Sequence, residues 1–128
     1  MPTYHHALVQ HLRFRLWIAE LNFYINVLRI YNDYLDQQAG VKDAKVIKKI
    51  DHIKQAFDVF RKEIDDLKHE MHLAKMTLAA NLREAVDVIE EKGEMEKYTL
   101  LQVQFTSLHK KFEIFKEEFI QFEQELLN

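Results

Sequence analysis

The side chains with the most chemistry to offer are histidines. His5, His6, His11, His69, His72 and His109 are spread over what read as three helices, and the turns between those helices decide which of them meet. With an antiparallel turn near Gly40, the equal rise per residue sets His11 beside His69 and His72. A second turn near Gly93 sets His72 within about two helical turns of His109 and Glu113. His109 and Glu113 stand at i and i+4, on one helix face. Imidazoles and carboxylates on facing helices are how bundles hold zinc or a di-iron pair. His11, His69, His72, His109 and Glu113 are therefore the candidate metal ligands, for zinc or iron. The opposing reading is a set of partly exposed histidines. His69 and His72 fall off the main apolar seam of their helix, the paired E-x-x-H repeat of di-iron bundles is absent, and the histidine spacings do not recur between helices. His69-Glu70-Met71-His72 is not the zinc-protease motif, which needs its second histidine at i+4.

Glu20 is the second chemical candidate. It sits amid an apolar run, flanked by Trp17, Tyr24 and Val27. A buried lone carboxylate costs several kcal/mol unless it is paired or protonated. One reading makes Glu20 a ligand or general acid. The other pairs it with Arg13, one heptad earlier, or with Arg61 on the next helix, as an ion pair that fixes register. The line Trp17, Tyr24, Tyr31 could stack a planar ligand. Rings at heptad spacing equally suit a protein interface, where a hydroxyl or indole NH still meets water.

These residues are positioned by three long helices. On a wheel of about 100° per residue, the stretch Leu12–Leu35 is apolar over most of its circumference. One seam is Phe14, Ile18, Leu21, Ile25, Leu28 and Leu35; a second is Leu16, Trp17, Phe23, Tyr24, Val27, Ile30, Tyr31 and Tyr34. The polar residues, Arg15, Asn22 and Arg29 among them, collect on a narrow strip. A helix apolar nearly all round needs neighbours on two sides, because soluble monomers rarely leave a large apolar patch bare. Thr3 can cap this helix and Gly40 can end it in the left-handed conformation. Asp43 can cap helix 2, whose heptad runs Ile50, Ile53, Phe57, Phe60, Ile64, Leu67, Met71, Ala74, Leu78 and continues less cleanly through Leu82, Ala85, Val86 and Ile89. Lys92 and Gly93 read as its end. Helix 3 carries Tyr98, Leu101, Phe105, Leu108, Phe112, Phe115, Phe119, Phe122 and Leu126.

At about 1.5 Å per residue, these helices span roughly 50, 75 and 50 Å. Helix 2 then outruns both neighbours. Either another chain fills the gaps, or helix 2 breaks near Thr77–Asn81, where Asn81 and Glu84 have capping-box spacing, and Leu82–Ile89 forms a fourth helix. The expected fold is all-α: an antiparallel bundle of three long helices with coiled-coil-like packing, four if helix 2 breaks, in one domain over residues 1–128.

Composition narrows the function classes. The 128 residues include two glycines and one proline, which favours long uninterrupted helices. Cysteine is absent, so there is no disulfide framework and no thiol chemistry, in keeping with a reducing compartment. The net charge is −3 with both signs interspersed and no basic patch, which argues against nucleic acid. The N-terminus lacks a basic segment followed by a long apolar one, so no secretory signal is read and a cytoplasmic location follows by default. Glu20, Asn22, Asn26 and Arg29 interrupt the most apolar stretch, so it is not a membrane span. No basic amphipathic face suits a membrane surface. Phosphate-binding loops, dinucleotide fingerprints and nucleophile elbows are missing.

Three short motifs carry a resemblance. Trp17-x-x-x-Leu21-x-Phe23-Tyr24, then Ile64-Asp65-Asp66-Leu67-Lys68-His69-Glu70, then Phe112-x-x-x-x-Glu117-x-Phe119 resemble segments of a group of small uncharacterised bacterial all-helical proteins. The resemblance covers the middle of helix 1, part of helix 2 and the end of helix 3, and is least over Met76–Gly93. It implies a helical bundle and carries no assigned activity. The functional expectation is a non-enzymatic interaction or scaffold protein, a homodimer through Trp17, Glu20, Tyr24, Val27, Tyr31 and Tyr34. The alternative is a metal-binding bundle.

Overall fold

A computed structural model describes residues 3–40, 43–83 and 92–127. Within them lie three helices, α1 (Thr3–Gln37), α2 (Ala44–Arg83) and α3 (Lys92–Leu127), with a 3-10 turn at Gln38–Gly40 after α1. No strand occurs among the described residues, and the helices pack against one another as an all-α bundle.

The seams built the core as their periods require. Phe14, Leu21, Leu28 and Leu35 of α1 are buried, as are Phe57, Phe60, Ile64 and Met71 of α2 and Leu101, Leu108, Phe112, Phe119 and Phe122 of α3. Cross-helix contacts set the directions. Gln10 meets Met95, Arg13 meets Tyr98 and Tyr24 meets His109, each pair 85 residues apart, so α1 and α3 run parallel. Lys49 pairs with Glu125 at 2.6 Å, Glu63 with Lys111 at 3.0 Å and Glu70 with Lys97 at 3.5 Å, so α2 and α3 run antiparallel. Lys54 pairs with Asp36 across α2 and α1. These pairs are exposed and each is worth no more than about 1 kcal/mol. They sit at the register that the core selects.

The helix ends agree with the sequence at the Asp43 cap and in the continuity of α2, and depart from it at Gly40 and Gly93. Asp43 caps α2: its carboxylate accepts the Lys45 backbone N–H at 2.9 Å, and its carbonyl accepts that of Ile47 at 3.0 Å. Gly40 closes the 3-10 turn without entering the left-handed region, and a Cβ there would meet nothing within 4 Å. Tightening of the last turn does the capping that a left-handed glycine was expected to do. The alternative of a break near Thr77–Asn81 does not occur: α2 is continuous there and runs to Arg83, and the Thr77 hydroxyl bonds back to the Leu73 carbonyl at 3.1 Å, within the helix. Gly93 lies in the first turn of α3 and not between helices. The seam positions Ala85, Val86 and Ile89, the capping partner Glu84, most of the proposed short helix Leu82–Ile89 and the side chains of Thr3 and His5 lie outside the described residues.

These changes remove the length mismatch. The helices have 35, 40 and 36 residues, or about 52, 60 and 54 Å. Each is covered by the other two along most of its length, so helix lengths no longer call for a second chain. The outcome to expect in urea denaturation follows from the two ends of the α1–α2 connection. Asp43→Ala should lose about 1 kcal/mol with its cap. Gly40→Ala should be neutral or up to about 1 kcal/mol more stable, since the residue's conformation suits alanine and the unfolded chain loses freedom. A clearly destabilised Gly40→Ala would contradict this description of the turn.

Candidate functional site

Two faces of α1 define the site, and they differ in what covers them. The first is a ladder of aromatic rings against α3. Trp17 stacks on Phe105 with centroids 5.5 Å apart, Tyr24 on Phe112 at 4.0 Å and Tyr31 on Phe119 at 3.9 Å. The rungs recur every seven residues on both helices, which parallel helices permit over any number of turns. Trp17 also stacks on Tyr98, and Tyr34 meets Phe119 edge-on. Phe57 and Phe60 of α2 close the ladder from the other side, against Phe115 and Phe112.

Most of the aromatic seam assigned to a second chain is thus covered from within. Tyr24 is only 1% exposed, and Trp17, Val27, Tyr31 and Tyr34 are half-buried against the core. The physical reason is the parallel path of α3, which lays its rings over that side of α1. A planar ligand has no room there, because the rings that would stack it already stack on α3. Two residues that sequence reasoning missed join this packing: Ala7 and Gln10 are buried, and the Gln10 amide donates to Met95 Sδ at 3.1 Å. Gln10 stands one heptad before Trp17, so the 3.5-residue period could have marked it.

One polar chain crosses the ladder. The Tyr24 hydroxyl donates to Glu20 Oε1 at 3.3 Å and lies 2.5 Å from His109 Nδ1. When it donates to Glu20, the same oxygen accepts from His109 Nδ1–H. Burial pushes the Tyr24 hydroxyl well above its usual pKa, and the charges of Glu20 and Glu113 add to this. Tyr24 therefore stays protonated and bridges the helices as a neutral group. Glu20 itself is exposed. Neither expected partner reaches it: Arg13 donates to Tyr98 at 3.2 Å and Arg61 pairs with Asp65 at 3.3 Å.

Of the candidate metal ligands, His11 and His72 both lie near enough to Lys75 to feel its charge. His109 is held at Tyr24, while Glu113 points to solvent with Lys116 at 3.6 Å. His11 and His72 are half-buried and His69 is exposed. Burial lowers the pKa of His11, helped by Arg15 and Lys75; burial lowers that of His72, helped by Lys75, Lys68 and His69. A cation placed there would meet these like charges. Among the described residues no group of three or more His, Asp or Glu side chains is arranged to hold a metal ion. Gly93 lies within α3, which shifts the inferred α2–α3 level: Glu63 stands beside Lys111, near His109.

The second face of α1 is uncovered. Val9, Leu12, Leu16, Ala19, Phe23, Asn26, Ile30 and Asp33 are all exposed, in steps of three and four. Their large apolar members are between 46% and 62% exposed. This is a heptad seam, with Val9, Leu16, Phe23 and Ile30 at position a and Leu12, Ala19, Asn26 and Asp33 at position d. The buried Phe14, Leu21, Leu28 and Leu35 then fall at position f, on the opposite side of the helix. Elsewhere the exposed apolar residues are more widely spaced: Ile47, Val59, Leu73 and Met76 on α2, and Met95, Leu100, Val103, Ile114, Ile120 and Leu127 on α3. A groove of about 240 Å³ between α2 and α3 is floored by Phe57, Phe115 and Phe119, and its rim is bridged by the Lys49–Glu125 pair. No helix among the described residues is long and apolar enough to cross a membrane.

Stability should fall on both sides of neutrality. His11 and His72 have lowered folded-state values, so the unfolded chain takes up protons first, and stability drops as pH falls through about 6.5. Tyr24 has a raised value, so the unfolded chain releases its proton first, and stability drops as pH rises through about 10. Urea midpoints across this range check both limbs. The double variant His11→Gln, His72→Gln should flatten the acid limb just below about pH 6.5, and an unchanged slope would contradict the assignment.

No protein-family model, no curated protein and no solved structure matches this chain.

Proposed function

We propose that this chain is a non-enzymatic interaction protein, a single helical-bundle domain that self-associates through the exposed face of α1. The observation that carries this reading is the heptad seam Val9–Asp33 on the side of α1 opposite the core. A monomer gains nothing from placing leucine, phenylalanine and isoleucine at every a position of a solvent face. Such a pattern is what a facing helix requires for knobs-into-holes packing, and a contiguous exposed apolar strip marks an interaction site. The interface differs in part from the one read in the sequence. It keeps helix 1 and Glu20 at its edge, and replaces the ring-bearing positions with Val9, Leu12, Leu16, Phe23 and Ile30. The lack of cysteine suits a reducing compartment, which supports a cytoplasmic setting.

Magnitudes set the strength of the contact. Two copies would bury about ten half-exposed apolar side chains, each worth about 1 kcal/mol at that exposure. That gain is of the same order as the roughly 4–15 kcal/mol cost of association. The dimer should therefore be weak, with a dissociation constant of about tens of micromolar at the tightest, and dissociate on dilution. Light scattering on a size-exclusion column should give a mass that rises with loading toward twice the 15.4 kDa chain mass. The double variant Leu16→Lys, Ile30→Lys should stay at the monomer mass with little change in the monomer's thermal midpoint, because both side chains are exposed. A variant that still dimerises would overturn this reading.

A further inference from the structure

We infer that two copies pair α1 to α1 in parallel and in register, with Asn26 against Asn26 in the seam and Arg15 of each copy against Glu20 of the other. This deepens the proposed self-association and rests on it. The argument is charge complementarity along the flanks. With Val9 and Leu12 at positions a and d, Arg15 and Arg29 occupy position g, and Arg13 and Glu20 position e. In a parallel pair, g of one helix faces the e five residues on in the other, and these contacts set orientation. Arg15 then faces Glu20 twice, once on each side of the two-fold axis. Arg29 faces the Tyr34 ring in the same way. All three charged side chains are exposed at the edges of the seam.

The antiparallel alternative is penalised by the same charges. Full overlap of the seam would set e against e and g against g. Glu20 would then face Glu20, and Arg15 would face Arg29 on both sides, all like charges. Sliding by one heptad exchanges those clashes for Arg13 against Glu20, but carries Ile30 beyond Val9, the first apolar position of the seam on the other helix. Of the two polar residues in the seam, Asp33 meets its own copy in the parallel pair, at the exposed end of the face, while Asn26 favours that pair. Asn26 at position d would lie against Leu16 in the antiparallel pair, leaving amide hydrogen-bonding capacity unmet, and against its own copy in the parallel pair. Its Oδ1 already accepts from Arg29 at 3.0 Å, so its NH₂ group is available to donate across. A single polar residue within a coiled-coil seam is a known means of fixing register. Within the chain, Tyr24 donates to the Glu20 carboxylate at 3.3 Å, which holds the acceptor at the edge of the face.

The chain has no cysteine, so placed thiols read the geometry directly. Leu12→Cys and Ile30→Cys replace exposed side chains and leave the core intact. Each variant is first sized by light scattering at a concentration where the parent is dimeric, then oxidised mildly and run on a non-reducing gel. In the parallel pair, Cys at position 12 meets its own copy, so Leu12→Cys alone should yield a covalent dimer. In the antiparallel pair the two thiols lie about 27 Å apart, far beyond disulfide reach. A covalent dimer that forms only when Leu12→Cys and Ile30→Cys proteins are mixed would overturn the parallel arrangement and keep the self-association. A dimer mass with no cross-link in either case would move the interface off this face. A parent that is monomeric at every concentration would remove the self-association itself. As a second readout, Glu20→Arg should weaken the dimer about tenfold, and adding Arg15→Glu should restore it; failure of the second change to rescue would contradict the Arg15–Glu20 contact.

Discussion

The stacking of α1 rings on α3 rings is the contact on which the rest of this structure depends. Tyr24 on Phe112 and Tyr31 on Phe119 bring ring planes to about van der Waals distance, with Trp17 on Phe105 as a looser third rung. Each such pair adds about 0.5–1.5 kcal/mol to the value of the area it buries. Because the rungs repeat with the heptad, they also fix the parallel register of two helices that are far apart in sequence. α2 fits the groove that remains, with Phe57 and Phe60 wedged against the α3 rings. The ladder uses one flank of α1 and the aliphatic core its inner side. Only the outer side is left, and that is where the second heptad seam lies.

Helix type and core membership could be read from the sequence because both follow from local period. Phe14, Leu21 and Leu28, Phe57, Phe60 and Ile64, and Leu108, Phe112 and Phe119 recur at steps of three and four that no strand could use, and all are buried. The Asp43 cap was legible for the same reason, since capping is a local hydrogen bond. Period also showed that α1 is apolar on nearly every side. It could not say which neighbour takes which side. Leu16 and Trp17 are adjacent in sequence and both apolar, yet Trp17 packs on α3 and Leu16 faces solvent. That division depends on the path of α3, which is a tertiary fact.

The histidines illustrate the same boundary. Their levels along the bundle depend on where the turns lie, and Gly93 lies within α3 and not at a turn. Gly40 closes a short 3-10 turn before α2 begins at Ala44. A shift of a few residues at a turn carries every facing pair by about a helical turn. His109 meets Tyr24 of α1, which joins it in a hydrogen-bonded bridge with Glu20. Chemistry-bearing residues on separate helices are only as well placed as the turns between them.

The central claim is that the outer face of α1, and not the ring ladder, is the surface where this protein meets its own copy. Methyl NMR spectra of the parent chain at two concentrations, one tenfold below the other, test it most directly. The methyl signals of Val9, Leu12, Leu16 and Ile30 should move with concentration while those of the buried Leu21, Leu28 and Leu35 stay in place. Spectra that superimpose at both concentrations, or shifts confined to residues of α2 and α3, would contradict it.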